Sequence, residues 1–211
     1  MSGAYKWLGG LGYIFTIIPF LNLVSPILVG LAWLLMGRDK RNGIFTITGI
    51  LMMALLILSA VILFTLPFFM YFSIMPPAGG FQSTSLQLLE LMQMMGVIIL
   101  LGIFFAGLGL VVFILELISH FRASNVFNIK WFRYAAWLRI VAIVATIIAF
   151  ALIMSLGLMA AELQPAETLF IAVLGPLMAA VIPWIISAIF SAVAFFTIPE
   201  EKPSANPPPP Q

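Results

Sequence analysis

The chain has 211 residues, of which 64% are hydrophobic and 8% are charged. A soluble domain carries about 25% charged residues, so this composition excludes a soluble globular protein. Nine basic residues against seven acids give a net charge of +2, which is too small and too dispersed for a nucleic-acid-binding surface. Because the sequence contains no cysteine, disulfides, thiolate metal sites and cysteine nucleophiles are excluded too.

The first apolar stretch is interrupted by Pro19 and Pro26. Each proline removes a backbone donor and biases the residue before it away from helix. Two interpretations follow. One is a single broken helix with its N-terminus outside, and the other is a hairpin of two short helices, roughly 4–19 and 23–37. Lys6, flanked by aromatic residues, is typical of a cytoplasmic interface anchor, and this favours the hairpin.

Four longer apolar spans follow, and each exceeds the roughly 20 residues needed to cross about 30 Å of hydrocarbon. They are predicted at 44–75, 84–121, 134–161 and 169–198, with an amphipathic interface segment at 122–133 and a disordered, proline-rich tail at 199–211. We therefore predict an all-α protein, a polytopic transmembrane helical bundle of about six membrane segments. A single transmembrane domain covers residues 1–198, and five segments is the alternative.

The basic residues predict the orientation of the bundle. They fall on the inner side, with the densest group at 38–41, whereas segments 76–85 and 162–168 carry none. Lysine and arginine are enriched in cytoplasmic loops. We therefore expect a multi-pass protein with its C-terminus in the cytoplasm.

Three short motifs carry a resemblance to known membrane proteins. They are Leu8-Gly-Gly-Leu-Gly-Tyr, the Ile18-Pro-Phe-Leu-Asn turn and the Arg38-Asp-Lys exit. With them the chain resembles a family of archaeal integral membrane proteins known by a domain-of-unknown-function label. The first hairpin is also similar to that of small Tic20-like membrane proteins. The resemblance is specific over residues 6–43, and it implies the hairpin, an archaeal plasma membrane and no known activity.

Glu116 and Arg139 are the ionisable residues deepest in the predicted spans. Glu116 lies five residues before the end of its span at 121, and Arg139 lies five residues after the start of the next span at 134, so adjacent antiparallel helices place them at similar depth. An unpaired charge in hydrocarbon costs several kcal/mol, and we therefore predict an intramembrane ion pair, with a proton or ion relay as the alternative. His120 lies one helical turn from Glu116. We expect it at the interface, bonded to a lipid headgroup or to Glu116.

Gln87, Glu90 and Gln93 repeat every three residues at the outer end of their predicted helix. Methionines lie among them, and thioethers suit Cu(I), but consecutive methionines point to different faces of a helix. We therefore predict no metal or other cofactor. The polar stripe is expected to face a neighbouring helix or outer-leaflet water.

Small residues form stripes on the last two spans. They are Ala142, Ala145 and Ala149 on one, and Gly175, Ala179, Ser187 and Ser191 on the other. Such faces let helix backbones approach closely in lipid. Both faces are therefore predicted to contact protein.

An enzyme is disfavoured, because no nucleophile with a base, metal cluster or phosphate-binding loop can be assembled from these residues. The favoured hypothesis is a structural or accessory subunit of a membrane assembly. Its expected partners are the lipid bilayer and either other membrane proteins or further copies of itself, with no nucleic acid. The alternative is a small transporter or proton-linked channel that uses Glu116 and Arg139.

Overall fold

A computed structural model of the chain describes residues 3–74, 84–159 and 166–199, without the side chains of 66–91, 94 and 156–173. The described residues contain six α-helices and no strand. The helices are α1 Ala4–Phe15, α2 Ser25–Asp39, α3 Gly43–Ile74, α4 Thr84–Phe127, α5 Lys130–Met159 and α6 Ala166–Phe196. The all-α prediction is confirmed.

Five helical stretches among the described residues are long and apolar enough to cross a membrane. They are Leu21–Asp39, Gly43–Thr65, Met95–Phe127, Lys130–Ser155 and Leu174–Phe196. The protein is therefore a multi-pass membrane protein. Helix α1 has 12 residues, about 18 Å of helix, and is too short to cross by itself.

Helices α1 and α2 form the predicted hairpin. At its ends, the Tyr5 hydroxyl donates to Asp39 Oδ2 at 3.4 Å. Nearer the turn, Ser25 Oγ donates to the carbonyl of Gly12 at 2.8 Å. A Cβ atom on Gly12 would lie 3.0 Å from the backbone nitrogen of Val29, so the two backbones are in contact. The hairpin therefore enters and leaves at one end of the bundle, and the broken-helix alternative is excluded.

The six helices form a ring in chain order. Each packs against the next, and α6 packs against α1. The hairpin thus lies between α3 and α6, with α2 against α3 and α1 against α6. Gly9 and Gly10 make the last contact possible, because a Cβ on either would overlap the ring of Phe195 or Phe196.

The prediction of an amphipathic interface segment at 122–133 is wrong. Helix α4 continues to Phe127, and α5 begins at Lys130 after a short turn in which Asn128 has φ 55°. Ala123 and Phe132, which flank this turn, are both 0% exposed. Burying these side chains in the bundle favours continuing the helices over laying the segment along the membrane surface.

Candidate functional site

The candidate site is a set of buried polar side chains to which every helix contributes, and we call it the buried polar cluster. Its members are Tyr13 of α1, Trp33 of α2, Thr48 of α3, Glu116, Ser119 and His120 of α4, Arg139 of α5, and Ser187 and Ser191 of α6. All are buried, and the least buried is Glu116 at 8% exposure. The cluster joins all six helices at one level of the bundle.

Glu116 and Arg139 form an ion pair between Oε1 and Nη1. The hydroxyl of Tyr13 donates to the same carboxylate oxygen at 2.6 Å. Trp33 Nε1 donates in turn to the Tyr13 hydroxyl at 3.1 Å. The Arg139 guanidinium also lies 5.1 Å from the centre of the Tyr13 ring, within the range of a cation–π contact. One carboxylate thereby ties α4 to α5 and to both arms of the hairpin.

Arg139 also contacts α6. Its Nε donates to Ser187 Oγ at 3.2 Å, and that hydroxyl donates to the carbonyl of Ala135 at 2.9 Å. The guanidinium therefore has partners on α1, α4 and α6. A buried cation requires partners of this kind, because a donor without one would carry a desolvation cost.

His120 lies inside the bundle, at 0% exposure, rather than at the membrane interface. Because α4 continues beyond it, no helix end brings it to a lipid headgroup. Its Nδ1 lies 2.8 Å from the carbonyl of Glu116, and its Nε2 lies 3.1 Å from Ser191 Oγ. Since a carbonyl only accepts, Nδ1 carries a proton. The His120 ring also packs against Trp33, 5.2 Å between centroids.

Thr48 and Ser119 complete the cluster on the α3–α4 side. Their hydroxyl oxygens are 2.8 Å apart, and Thr48 also contacts the carbonyls of Ile44 and Leu115. In the part of the chain with described side chains, no buried side-chain nitrogen or oxygen lacks a hydrogen-bond partner. The cluster is thus internally satisfied.

The small-residue stripes are placed differently on the two helices. On α5, Ala142 and Ala149 are buried and Ala145 is half-buried. On α6, Gly175 and Ala179 are exposed, and nothing lies within 4 Å of a Cβ built on Gly175. Ala180, Ser187 and Ser191 form the buried face instead. Their spacing of seven and four residues follows one helix face, and Ala179 is rotated about 100° from Ala180.

Helix α4 runs through the predicted polar stripe. Gln93 is exposed, and the side chains of Gln87 and Glu90 lie outside those described. Among the described side chains, no group of three histidine, cysteine, aspartate or glutamate residues could hold a metal ion.

Sequence reasoning missed Tyr13, Trp33 and Thr48 as members of the cluster. One signal was available for Trp33: tryptophan is enriched at membrane interfaces, yet this residue lies within the apolar part of α2. Tyr13 directly follows the glycine at position 12. Gly12 allows the backbones of α1 and α2 to come into contact. The next side chain, Tyr13, then reaches Glu116 of α4 and Trp33 of α2.

Comparisons with family models, curated proteins and solved structures find no match to this chain. Its function therefore has to be inferred from the arrangement of these side chains.

Proposed function

We propose that this membrane protein is a non-catalytic structural or accessory subunit of a membrane assembly. The observation that carries the proposal is that, among the described side chains, every buried nitrogen or oxygen of the buried polar cluster already has a hydrogen-bond partner. Cross-linking six helices is a structural role, and polar side chains between membrane helices serve this role widely.

The part of α4 that precedes the cluster residues supports a role in assembly. Helix α4 has 44 residues, about 66 Å of helix, whereas the hairpin arms have 12 and 15 residues. Gly102 and Gly109 on α4 have open space where a Cβ would lie, and Ala106 between them is exposed. A face of small residues lets another membrane helix approach closely. This supports a partner that is a membrane protein or a second copy.

The location proposed is the plasma membrane, with the C-terminus in the cytoplasm. Its support is the basic loop between α2 and α3, together with the absence of lysine and arginine from segments 76–85 and 162–168. Positive charge marks cytoplasmic loops. An archaeal origin rests on the motifs within residues 6–43.

Gentle extraction from the native membrane, followed by mass determination and identification of co-purifying chains, tests this proposal. A complex larger than one chain, with fixed stoichiometry, is expected. Extraction in a denaturing detergent is the control, since it should release the single chain. A single chain from both extractions would contradict an accessory role.

A small transporter or proton-linked channel is the second candidate. It is favoured by three ionisable side chains within the membrane-crossing part, Glu116, His120 and Arg139, which are linked through the serines of α6. Intramembrane ionisable residues commonly mark ion or proton paths. Proton flux in proteoliposomes distinguishes the candidates. Loss of flux in Glu116→Gln at an unchanged amount of folded protein, with normal flux in the exposed Ser59→Ala control, would favour the transporter.

A further inference from the structure

One end of the bundle carries most of the positive charge of the described residues, and we call it the basic end. Its basic residues are Lys6, Arg38, Lys40, Arg41, Arg122, Lys130 and Arg133. Among the residues that the structure describes, Asp39 is the acid at this end, and it already pairs with Lys40 at 3.5 Å. It also accepts from the Tyr5 hydroxyl. Within the part of the chain that the structure describes, the basic end therefore has an excess of positive charge.

Two turns bring part of this charge together. The α2–α3 turn, residues 40–42, contacts the end of α4, because Lys40 Nζ lies 5.7 Å from the centre of the Phe127 ring. The α4–α5 turn, residues 128–129, directly follows Phe127. The exposed side chains of Arg41 and Lys130 therefore belong to neighbouring turns.

The backbone of Arg41 points to a specific requirement at this position. Arg41 has φ 49°, in the left-handed region, which a non-glycine residue other than asparagine or aspartate seldom adopts. A glycine or asparagine would relieve this strain. An arginine here is consistent with a use for its side chain, because backbone strain concentrates at functional positions.

Aromatic side chains place these turns at the membrane surface. Trp7 is 57% exposed, Trp131 40%, Tyr134 48% and Trp137 56%, and all four lie near the basic end. Trp7 contacts Phe196 at the end of α6, and Trp131 contacts Tyr134 near the start of α5. Exposed tryptophan and tyrosine occupy the headgroup level of a bilayer. The cations of the two turns therefore lie at the depth of lipid phosphates.

We propose that the 40–42 and 128–130 turns form a binding site for anionic lipid headgroups. A phosphate without a compensating cation, as in phosphatidylglycerol, is attracted by the clustered arginine and lysine. The choline of a zwitterionic lipid opposes that attraction. Exposed Trp131, which directly follows Lys130, favours a lipid over a free anion, because tryptophan at the headgroup level contacts lipid. This preference holds with or without a protein partner.

The test is native mass spectrometry of the full chain in a neutral detergent. Phosphatidylglycerol and phosphatidylcholine with identical acyl chains are titrated separately, and the lipid-bound fraction is measured. We expect phosphatidylglycerol to bind at least about tenfold more tightly, and Arg41→Gln and Lys130→Gln each to weaken it by about fivefold. Arg41→Lys keeps the charge and should retain most of the affinity.

Lys202→Gln is the matched control, because it removes the same charge outside the two turns. It should change phosphatidylglycerol affinity by less than about twofold. Equal binding of the two lipids would overturn the proposal, as would equal weakening by Lys202→Gln. Competition by inorganic phosphate at the concentration at which phosphatidylglycerol binds would overturn the lipid assignment. Unchanged melting temperatures of the variants exclude loss of fold as the cause.

Discussion

At the level of single residues, Glu116 illustrates that a charged side chain buried in a membrane protein needs partners for its charge and hydrogen bonds. Its carboxylate oxygen Oε1 has Arg139 and the Tyr13 hydroxyl as partners. A buried ion pair contributes little net stability, because desolvation offsets its Coulomb energy. Removing one partner is different, since it leaves an uncompensated charge. The Glu116–Arg139 pair therefore acts mainly by raising the free energy of any arrangement in which α4 and α5 are not in contact at this level.

The two charges should be strongly coupled. Glu116→Gln or Arg139→Gln alone should destabilise the protein by about 3–5 kcal/mol, because each leaves a lone buried charge. The double variant should lose clearly less than the sum of the two single losses. Unfolding titrations of all four proteins in mixed micelles measure the coupling. Additive losses would show that the two side chains do not interact.

The Tyr13 hydroxyl is expected to matter far more than other tyrosine hydroxyls. Tyr13→Phe removes a donor to Glu116 and leaves Trp33 Nε1 without its acceptor, which should cost about 1–3 kcal/mol. Tyr134 is 48% exposed, so Tyr134→Phe is the matched control and should change stability by less than about 0.5 kcal/mol. The same unfolding titration compares them, and equal effects would argue against the described network.

At the level of elements, glycine positions decide how closely the helices pack. Gly49 of α3 faces α2, and a Cβ there would lie 2.6 Å from the backbone nitrogen of Leu34 and would also overlap the carbonyl of Gly30. These neighbours are backbone atoms, so they cannot move aside as a flexible side chain would. The α2–α3 crossing is therefore set by glycine rather than by side-chain interdigitation.

Gly49→Ala and Gly107→Ala should have opposite effects. At Gly49 the new methyl group must push α2 and α3 apart, and we expect a loss of at least about 2 kcal/mol by overpacking. Gly107 lies in α4 with nothing within 4 Å of a Cβ, and alanine there should be neutral or improve helix propensity by up to about 1 kcal/mol. Melting temperatures in one detergent give the comparison. A stable Gly49→Ala protein would contradict the described crossing.

At the level of the whole molecule, the hairpin of α1 and α2 completes the ring of helices only near the basic end, because its arms are short. Its tip carries apolar side chains, of which Phe20 is 89% and Leu23 is 70% exposed. Both arms are far shorter than the four helices around them. Residues 21–39 are long enough to cross a membrane, but the hairpin returns through α1, which at 12 residues is not. We therefore expect the tip to end within the hydrocarbon, in contact with lipid.

Single-cysteine labelling tests this arrangement, since the natural chain has no cysteine. In sealed vesicles, a charged maleimide should modify Asn42→Cys from the cytoplasmic side and Gln82→Cys from the opposite side. Leu23→Cys should react from neither side, because a charged reagent does not enter hydrocarbon. Labelling after solubilisation controls for reactivity. Modification of Leu23→Cys from the far side would show that the hairpin crosses the membrane.

The sequence determined the all-α membrane fold and the approximate positions of the four long spans, and it favoured the hairpin over one broken helix. Apolar length alone decides whether a segment can cross hydrocarbon, and Pro19 and Pro26 interrupt the first stretch in a way that tertiary contacts cannot reverse. The similar depth of Glu116 and Arg139 also followed from the sequence, because each lies five residues from the facing end of its predicted span and the two spans are consecutive and antiparallel.

Tertiary structure alone decided which face of each helix is buried. Lipid is as apolar as a protein core, so an apolar helix shows no hydrophobic stripe that marks its inner side. For this reason the sequence could not select Ala180 over Ala179, or identify Tyr13 and Trp33 as buried partners of Glu116. It also could not place His120 within the bundle, because the burial of Ala123 and Phe132, which extends α4, depends on all the helices together.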